Sequence, residues 1–299
     1  MREGIIAGIG LLVLDETHIH STHPGQDDKV TAEDAFEDIG GPVPIALMYL
    51  SRLGWNTRLA SAIGDDVTGE FIQRRLQEES MDTKFLAVRK GKQSGLAHIW
   101  LTKGTNSRAV SSFPGTVSPL EPNDISRDFF DGVRHLHIDG RNPLISGYAA
   151  VRARELGITV SYDAGNYKPG SENLLALANI VQSPRRFLRD WQGINDMEIA
   201  AEKLREYGPS IAIVTDGENG LAYSHEGGTF YRPAYKVGKV VDTNGAGDIF
   251  AGAFIHGNLS GWSVDKSISF ASAAAALKCM TLGKRNLPSE AEVLKFIGD

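Results

Sequence analysis

The stretch Asp242-Thr243-Asn244-Gly245-Ala246-Gly247-Asp248 sets a carboxylate directly behind two glycines, and an apolar run follows it. That run, residues 249–255, is rich in small side chains and free of proline, so it reads as a buried helix. Residues 236–241 before the stretch are β-branched and read as a strand. Between them, Gly245-Ala246-Gly247 gives a tight turn whose side chains shield no backbone N–H. Those amides open a helix, where unpaired donors and the positive dipole end attract an anion. Asp248 then stands at the mouth of the anion site. A carboxylate there can take a proton from a hydroxyl while the amides stabilise charge on the group transferred. This is the chemistry of phosphoryl transfer to an alcohol. Without that chemistry, the same residues are a glycine-rich turn and Asp248 is an ordinary first-turn acid.

The chain that must position these residues has 299 of them, 41% apolar, enough to bury one large domain with a small appendage. A net charge of −6 argues against a nucleic-acid or anionic-membrane partner. The single cysteine, Cys279, excludes an intramolecular disulfide and fits a reducing cytoplasm. Residues 5–14 are apolar but broken by Gly8 and Gly10 and ended by Asp15. They are too short to span a bilayer, which takes about 20 residues, and carry no cleavage pattern for secretion. A soluble cytoplasmic protein is expected.

Residues 5–10 read as a buried strand that residues 11–14 continue into Asp15. A strand ending in a lone acid suits an open α/β sheet, where ligands meet the carboxyl ends of strands. Gly8-x-Gly10 lacks the third glycine of a dinucleotide fingerprint. Residues 16–38 are polar and broken by Pro24-Gly25, like a hairpin excursion. His18, His20 and His23 have no thiolate partner nearby, and alternation puts His18 and His20 on one exposed face, so they read as a surface strand rather than a zinc site. Gly40-Gly41 permits close backbone approach. The helix after it carries Pro44 in its first turn, an apolar face of Ala46, Leu47, Leu50 and Leu53, and a stop at Gly54.

Residues 57–62 are a strand, Gly64-Asp65-Asp66 a structural turn and residues 71–79 a helix. Residues 85–88, 95–101 and 108–110 are strands joined by Lys90-Gly91 and Gly104-Thr105-Asn106 turns. The strand 134–138 ends in Asp139-Gly140-Arg141-Asn142, whose side chains face a cleft or, for Arg141, a surface ion pair. Strands at 159–163, 178–182 and 211–214 alternate with helices at 149–156 and 194–207. Arg185 and Arg186 read as solvated. A small-residue helix covers residues 270–279.

The string Asp242-Thr243-x-Gly245-Ala246-Gly247-Asp248 resembles the C-terminal signature of the PfkB (ribokinase-like) carbohydrate kinases, and the segment order agrees over essentially the whole chain. The resemblance implies a three-layer α/β/α ribokinase-like domain with a small β-sheet lid. Residues 1–14, 39–82 and 113–299 would form the core. Residues 15–38 and 83–112 would form a lid that closes over a sugar and makes a homodimer contact. It also implies ATP and Mg2+ as cofactors, Asp248 as general base and the Gly245, Ala246 and Gly247 amides as anion hole.

By the same resemblance Asp15 and Gly41 would hold the sugar, assisted by Asp139, Arg141 and Asn142, with Asp27 reaching from the lid. Ser183, Thr215, Gly217 and Gly220 would lie along the nucleotide, Ser272 and Ala275 would line the adenine pocket, and Gly283 would sit in a loop near it. Potassium would bind beside Asp242. Residues 136–142 and 10–15 resemble ketohexokinases, which favours a ketose substrate. Two positions depart from the family pattern. Ile45 stands where relatives carry a sugar-binding Asn, and residues 183–187 lack the Glu of an Asn-x-x-Glu motif. Two other readings therefore stay open: a nucleoside or vitamin kinase of the same fold, and a catalytically silent sugar- or nucleotide-binding regulator. Neither a P-loop nor the protein-kinase motif set is present.

Overall fold

Apolar runs without alternation form a large buried sheet here, and alternating runs form most of a smaller second one. The structure is a computed structural model that describes residues 2–104 and 108–298. The turn expected at Thr105-Asn106 therefore lies outside the described residues. The chain opens with β1 (Ile5–Ile9), β2 (Val13–His20), β3 (Asp34–Gly40), α1 (Pro42–Arg52), β4 (Asn56–Gly64) and α2 (Val67–Glu78). It continues through β5 (Asp82–Arg89), β6 (Gly95–Thr102), β7 (Arg108–Phe113), β8 (Val133–Ile138), α3 (Pro143–Glu155) and β9 (Thr159–Asp163). Next come α4 (Ser171–Leu175), β10 (Ile180–Pro184), α5 (Arg186–Gln192), α6 (Met197–Glu206) and β11 (Ile211–Thr215). The last elements are β12 (Leu221–His225), β13 (Gly228–Arg232), α7 (Ala246–Leu259), α8 (Val264–Lys278) and α9 (Glu290–Ile297).

Nine strands form the large sheet in the order β13-β12-β11-β10-β9-β8-β1-β4-β5. It is parallel from β11 to β5, with β12 and β13 antiparallel at one edge. Ile6, Leu47, Phe254 and Phe270 belong to one buried cluster, which joins α1, α7 and α8 to the sheet. Ile9, Leu136, Ala149 and Phe187 belong to a second, which joins α3 and α5 to it. The result is the three-layer α/β/α arrangement that the sequence leads one to expect. The small sheet has the order β3-β2-β6-β7. Among the described residues no helix is long and apolar enough to cross a membrane.

Four local expectations are corrected. Residues 11–14 do not prolong β1: the chain leaves the large sheet at Gly10, and Val13 already pairs with Gly40 and Gly95 in the small one. Asp15 is thus a residue of the small sheet rather than the end of a core strand. Residues 85–88 lie in β5, which pairs in parallel with β4 in the large sheet. Periodicity reports a strand but not its partner. Residues 236–241 form no strand, because the Val241 and Asp242 amides donate to the Cys279 carbonyl at the end of α8. His18 and His20 do share a face and stack at 6.2 Å, but His20 is buried.

Close helix crossing brings the two site-forming helices together. A Cβ on Gly252 of α7 would lie 2.7 Å from the Ala46 carbonyl oxygen of α1. The same crossing sets Ile45 against the turn before α7, its Cγ2 lying 3.7 Å from where a Gly245 Cβ would be. Gly252→Val should therefore force α1 and α7 apart and destabilise the protein by about 1–3 kcal/mol, as overpacking does. Urea unfolding measures it, and an unchanged midpoint would mean the crossing has slack.

Candidate active site

The strand order reverses at β1, which lies between β8 and β4. Open α/β sheets form a ligand crevice outside the carboxyl ends of their strands at such a switch point. Asp139 follows β8 there. Its Oδ2 accepts the Leu11 N–H at 2.7 Å and its Oδ1 the Arg141 N–H at 2.9 Å, so it ties the exits of β8 and β1 together. Asp163 ends β9 and accepts the Gly165 N–H at 3.2 Å.

The turn before α7 is held from several sides. Gly245 adopts left-handed backbone (φ 81°) as the residue capping the helix. The Ala246 N–H donates to the Thr243 carbonyl, and the Ile249 N–H to the Gly245 carbonyl. Between them, the Gly247 and Asp248 amides have no acceptor among the described residues. Gln182 Nε2 donates to the Gly247 carbonyl at 3.0 Å and links the turn to β10. Asp242 is buried behind it. Asp242 Oδ1 accepts the Asn244 N–H, and Oδ2 accepts the Gly283 N–H and the Lys278 ammonium.

Asp15, from the small sheet, meets the turn from the other side. Its Oδ2 accepts Lys284 Nζ at 2.7 Å and Asn244 Nδ2 at 3.4 Å. Lys284 Nζ also donates to the Ile39 carbonyl at 2.8 Å, and the side chain is almost fully buried. Asp248 keeps part of its surface open. Burial, then the charges of Asp163, Asp15 and Asp139, push it up to about 7, against the opposing pull of Lys284. Burial raises Asp163 to about 6, with Asp139 adding to it and Arg141 and Arg186 drawing it back. A carboxylate near neutrality beside free helix amides can serve as a proton acceptor next to an anion site.

Other expected residues fall elsewhere. Asp27 stands exposed in the loop between β2 and β3, in left-handed backbone. Gly41 caps α1, where a Cβ would come within 1.9 Å of the Leu11 carbonyl oxygen, so packing alone requires it. Asn142 spends its amide on the Leu120 carbonyl, while Arg141 is exposed. On the other side of α7, Thr215 Oγ1 donates to the Ser183 carbonyl at 3.4 Å. Gly217 and Gly220 bound a single 3-10 turn after β11. Ser183 Oγ and, on α8, Ser272 Oγ are buried without a partner; Ala275 lies one turn further along that helix. The potassium expected at Asp242 meets a contradiction, since the Asp242 carbonyl and carboxylate are both engaged by Lys278. Arg185 is not simply solvated: it pairs with Asp216.

Sequence reasoning missed Lys278, Lys284, Asp163 and Arg108. Asp163 carries the same signal as Asp139, an acid at the end of an apolar strand. Lys278 is a lone charge in a small-residue helical run. Lys284 and Arg108 carry no local signal, because their role rests on contacts across the fold.

The profile of the pfkB family carbohydrate kinases matches residues 10–291. The chain belongs to the pfkB family of carbohydrate kinases. As a member of that family it is an ATP-dependent sugar kinase. The ATP-dependent ribose-1-phosphate kinase of Halopiger xanaduensis is 26% identical over 285 residues, 92% of each chain. The 5-dehydro-2-deoxygluconokinase of Geobacillus thermodenitrificans is 28% identical over 294 residues, 90% of this chain and 85% of that one. Among solved structures, Arabidopsis thaliana ribokinase complexed with ribose and ATP superposes with a TM-score of 0.85 at 21% identity, covering 99% of both chains. The nucleoside kinase of Methanocaldococcus jannaschii superposes with a TM-score of 0.81 at 20% identity over 99% of this chain and 98% of that one. The fold is therefore common to sugar and nucleoside kinases, and the site must separate them.

If the base of this pfkB kinase is Asp248, kcat/KM falls as the pH drops through about 7, because only the deprotonated carboxylate accepts a proton. Lys284→Met should move that limb to higher pH, since the ammonium favours the charged form. A limb in the ordinary carboxylate range near 4 would rule out the raised base.

Proposed function

We propose that this kinase transfers the γ-phosphoryl group of ATP to a hydroxyl of a small sugar that bears an anionic group, with ketose skeletons the first to try. The observation that carries the transfer is Asp248, raised towards neutrality beside the unpaired Gly247 and Asp248 amides. Asp248 takes the hydroxyl proton as the oxygen bonds to the γ-phosphorus. The bond to the β–γ bridging oxygen breaks, and ADP leaves. The helix-opening amides meet the charge on the transferring group. Asp15 would accept from a sugar hydroxyl, with buried Lys284 holding its carboxylate in place.

Donors suited to a nucleotide are at hand. Ser183 Oγ and Ser272 Oγ are buried without partners, and on this reading they are assigned to the nucleotide. Mg2+ bound with the nucleotide would supply charge neutralisation to the phosphates. Asp163 is the carboxylate best suited to face it, since Mg2+ commonly takes one or two protein carboxylates and the phosphates.

The anionic acceptor rests on Arg108. Its Nη1 reaches from β7 of the small sheet to Thr243 Oγ1 in the catalytic turn, and no carboxylate among the described residues pairs with it. The two curated relatives are named for a sugar phosphate and for a sugar acid. The small sheet would act as the lid, with Arg108 closing on the bound anion. The expected homodimer through this sheet belongs to the same proposal: Val110 and Phe113 stand exposed on β7, and sedimentation reads the oligomeric state.

ADP release is measured with ATP and Mg2+ against neutral ketoses and aldoses, their phosphates, sugar acids and nucleosides. Anionic sugars should lead the panel. Arg108→Ala should cut kcat/KM for them by roughly 10–100-fold, the loss of a charge-assisted contact, and spare neutral sugars. A nucleoside or a neutral sugar at the head of the panel would overturn the acceptor class. Asp248→Asn should lower kcat by about 10²–10⁴-fold while nucleotide binding persists. Undiminished turnover would remove Asp248 from its role.

A further inference from the structure

Lys278 closes α8 with a side chain that is fully buried. Its Nζ donates to the Asp242 carbonyl oxygen at 2.8 Å and to Asp242 Oδ2 at 3.0 Å. Around the same carboxylate, the Gly283 N–H donates to Oδ2 at 3.0 Å and the Asn244 N–H to Oδ1 at 2.8 Å. The next residue of α8, Cys279, accepts the Val241 and Asp242 amides through its carbonyl. The catalytic turn is therefore stitched to the end of α8 by one ammonium and one carbonyl.

These oxygens do not fit a potassium ion. A cation set against the Asp242 carbonyl and Oδ2 would share both oxygens with the ammonium that already bonds them, and two like charges on the same buried oxygens repel. We propose that Lys278 is a tethered cation that takes the place of a free monovalent ion and positions the Asp242–Asp248 turn, so that turnover needs no potassium.

Lys278 acts through position rather than contact with substrate. Asp242 is buried, and a buried carboxylate must be paired and hydrogen-bonded. A lysine on a helix supplies that charge at a fixed point without the entropy of recruiting an ion. It fixes the direction of the Asp242 carbonyl, and with it the path into the left-handed Gly245 and the two amides that open α7. Lys278 is thus a positioning residue. The proposal rests on the reading of that turn as catalytic, and its test has one arm that does not depend on that reading.

Wild type and Lys278→Ala are compared in potassium chloride, ammonium chloride and choline chloride at equal ionic strength. The first readout is the thermal unfolding midpoint, which needs no acceptor. The second is ADP release with the best acceptor. Wild type should show the same midpoint and the same rate in all three salts. Lys278→Ala should unfold earlier in choline and recover in potassium or ammonium, as a protein with a vacated cation site does. Its turnover should fall by about 100-fold in choline, the cost of a misplaced catalytic group, and be restored by the same two cations. A rise in the wild-type midpoint with potassium, or activation of wild type by it, overturns the proposal. A folded variant that no cation rescues, or that is fully active in choline, also overturns it. Should Lys278→Ala fail to fold, the wild-type midpoints in the three salts decide alone. A flat acceptor panel counts against the sugar-kinase chemistry and leaves the unfolding comparison standing.

Discussion

Carboxylates crowd the point where α7 begins, and the structure around it answers that crowding. Asp15, Asp139, Asp163 and Asp248 come from four different elements and act on one another through a space from which most water is excluded. Like charges so placed cannot all ionise at ordinary carboxylate pH. Asp139 is steadied by two backbone amides and Asp15 by the Lys284 ammonium. Asp248 has neither a backbone amide nor a cation bonded to its side chain among the described residues, so it bears the largest consequence and titrates near neutrality. The arrangement that looks electrostatically unfavourable in isolation is what gives a simple aspartate the proton affinity of a useful base.

The Asp15–Lys284 pair joins three parts of the chain: β2 of the small sheet, the loop after α8 and, through Asn244, the turn before α7. A buried ion pair of this kind adds little net stability, because both partners give up hydration. Its contribution is register. The small sheet is linked to the large one at Asp15, so a displacement of β2 also displaces a charge that Asp248 senses. Arg108, on the far strand of the same sheet, makes a second bridge to the turn at Thr243. Small-sheet position and proton affinity are thereby linked through two named contacts.

Much of this was legible in the sequence, and the limits follow a physical line. The helix after Asp248, the strand over Thr159–Asp163 and a helix with Pro44 in its first turn follow from local rules of periodicity and backbone freedom. Local rules say nothing of which sheet a strand joins, and there they failed. Alternation alone places β5 with the small sheet, whereas it pairs with β4, and chain continuity places Leu14 with the large sheet, whereas it pairs with Ile39. The strand expected over residues 236–241 had the right composition, but its backbone bonds go to a helix end. Lys284 escaped for a related reason: its partner Asp15 lies 269 positions away in the chain.

The two departures from the family pattern read differently once their neighbours are known. Ile45 cannot bond a sugar hydroxyl, yet it is buried against Gly245 in the turn before α7, where a polar amide would itself need partners. On the proposed reading the sugar's polar contact would fall instead to Asp15, which meets that turn from the small sheet with Lys284 bonded to it. The position three residues after Ser183, where relatives carry Glu, holds Arg186, and its positive charge acts on Asp163. A carboxylate is thus present in the same neighbourhood, at the end of β9. A silent protein would be free to lose the acid outright. Here the converging carboxylates that raise Asp248 are all present, and Asp163 among them feels the Arg186 charge.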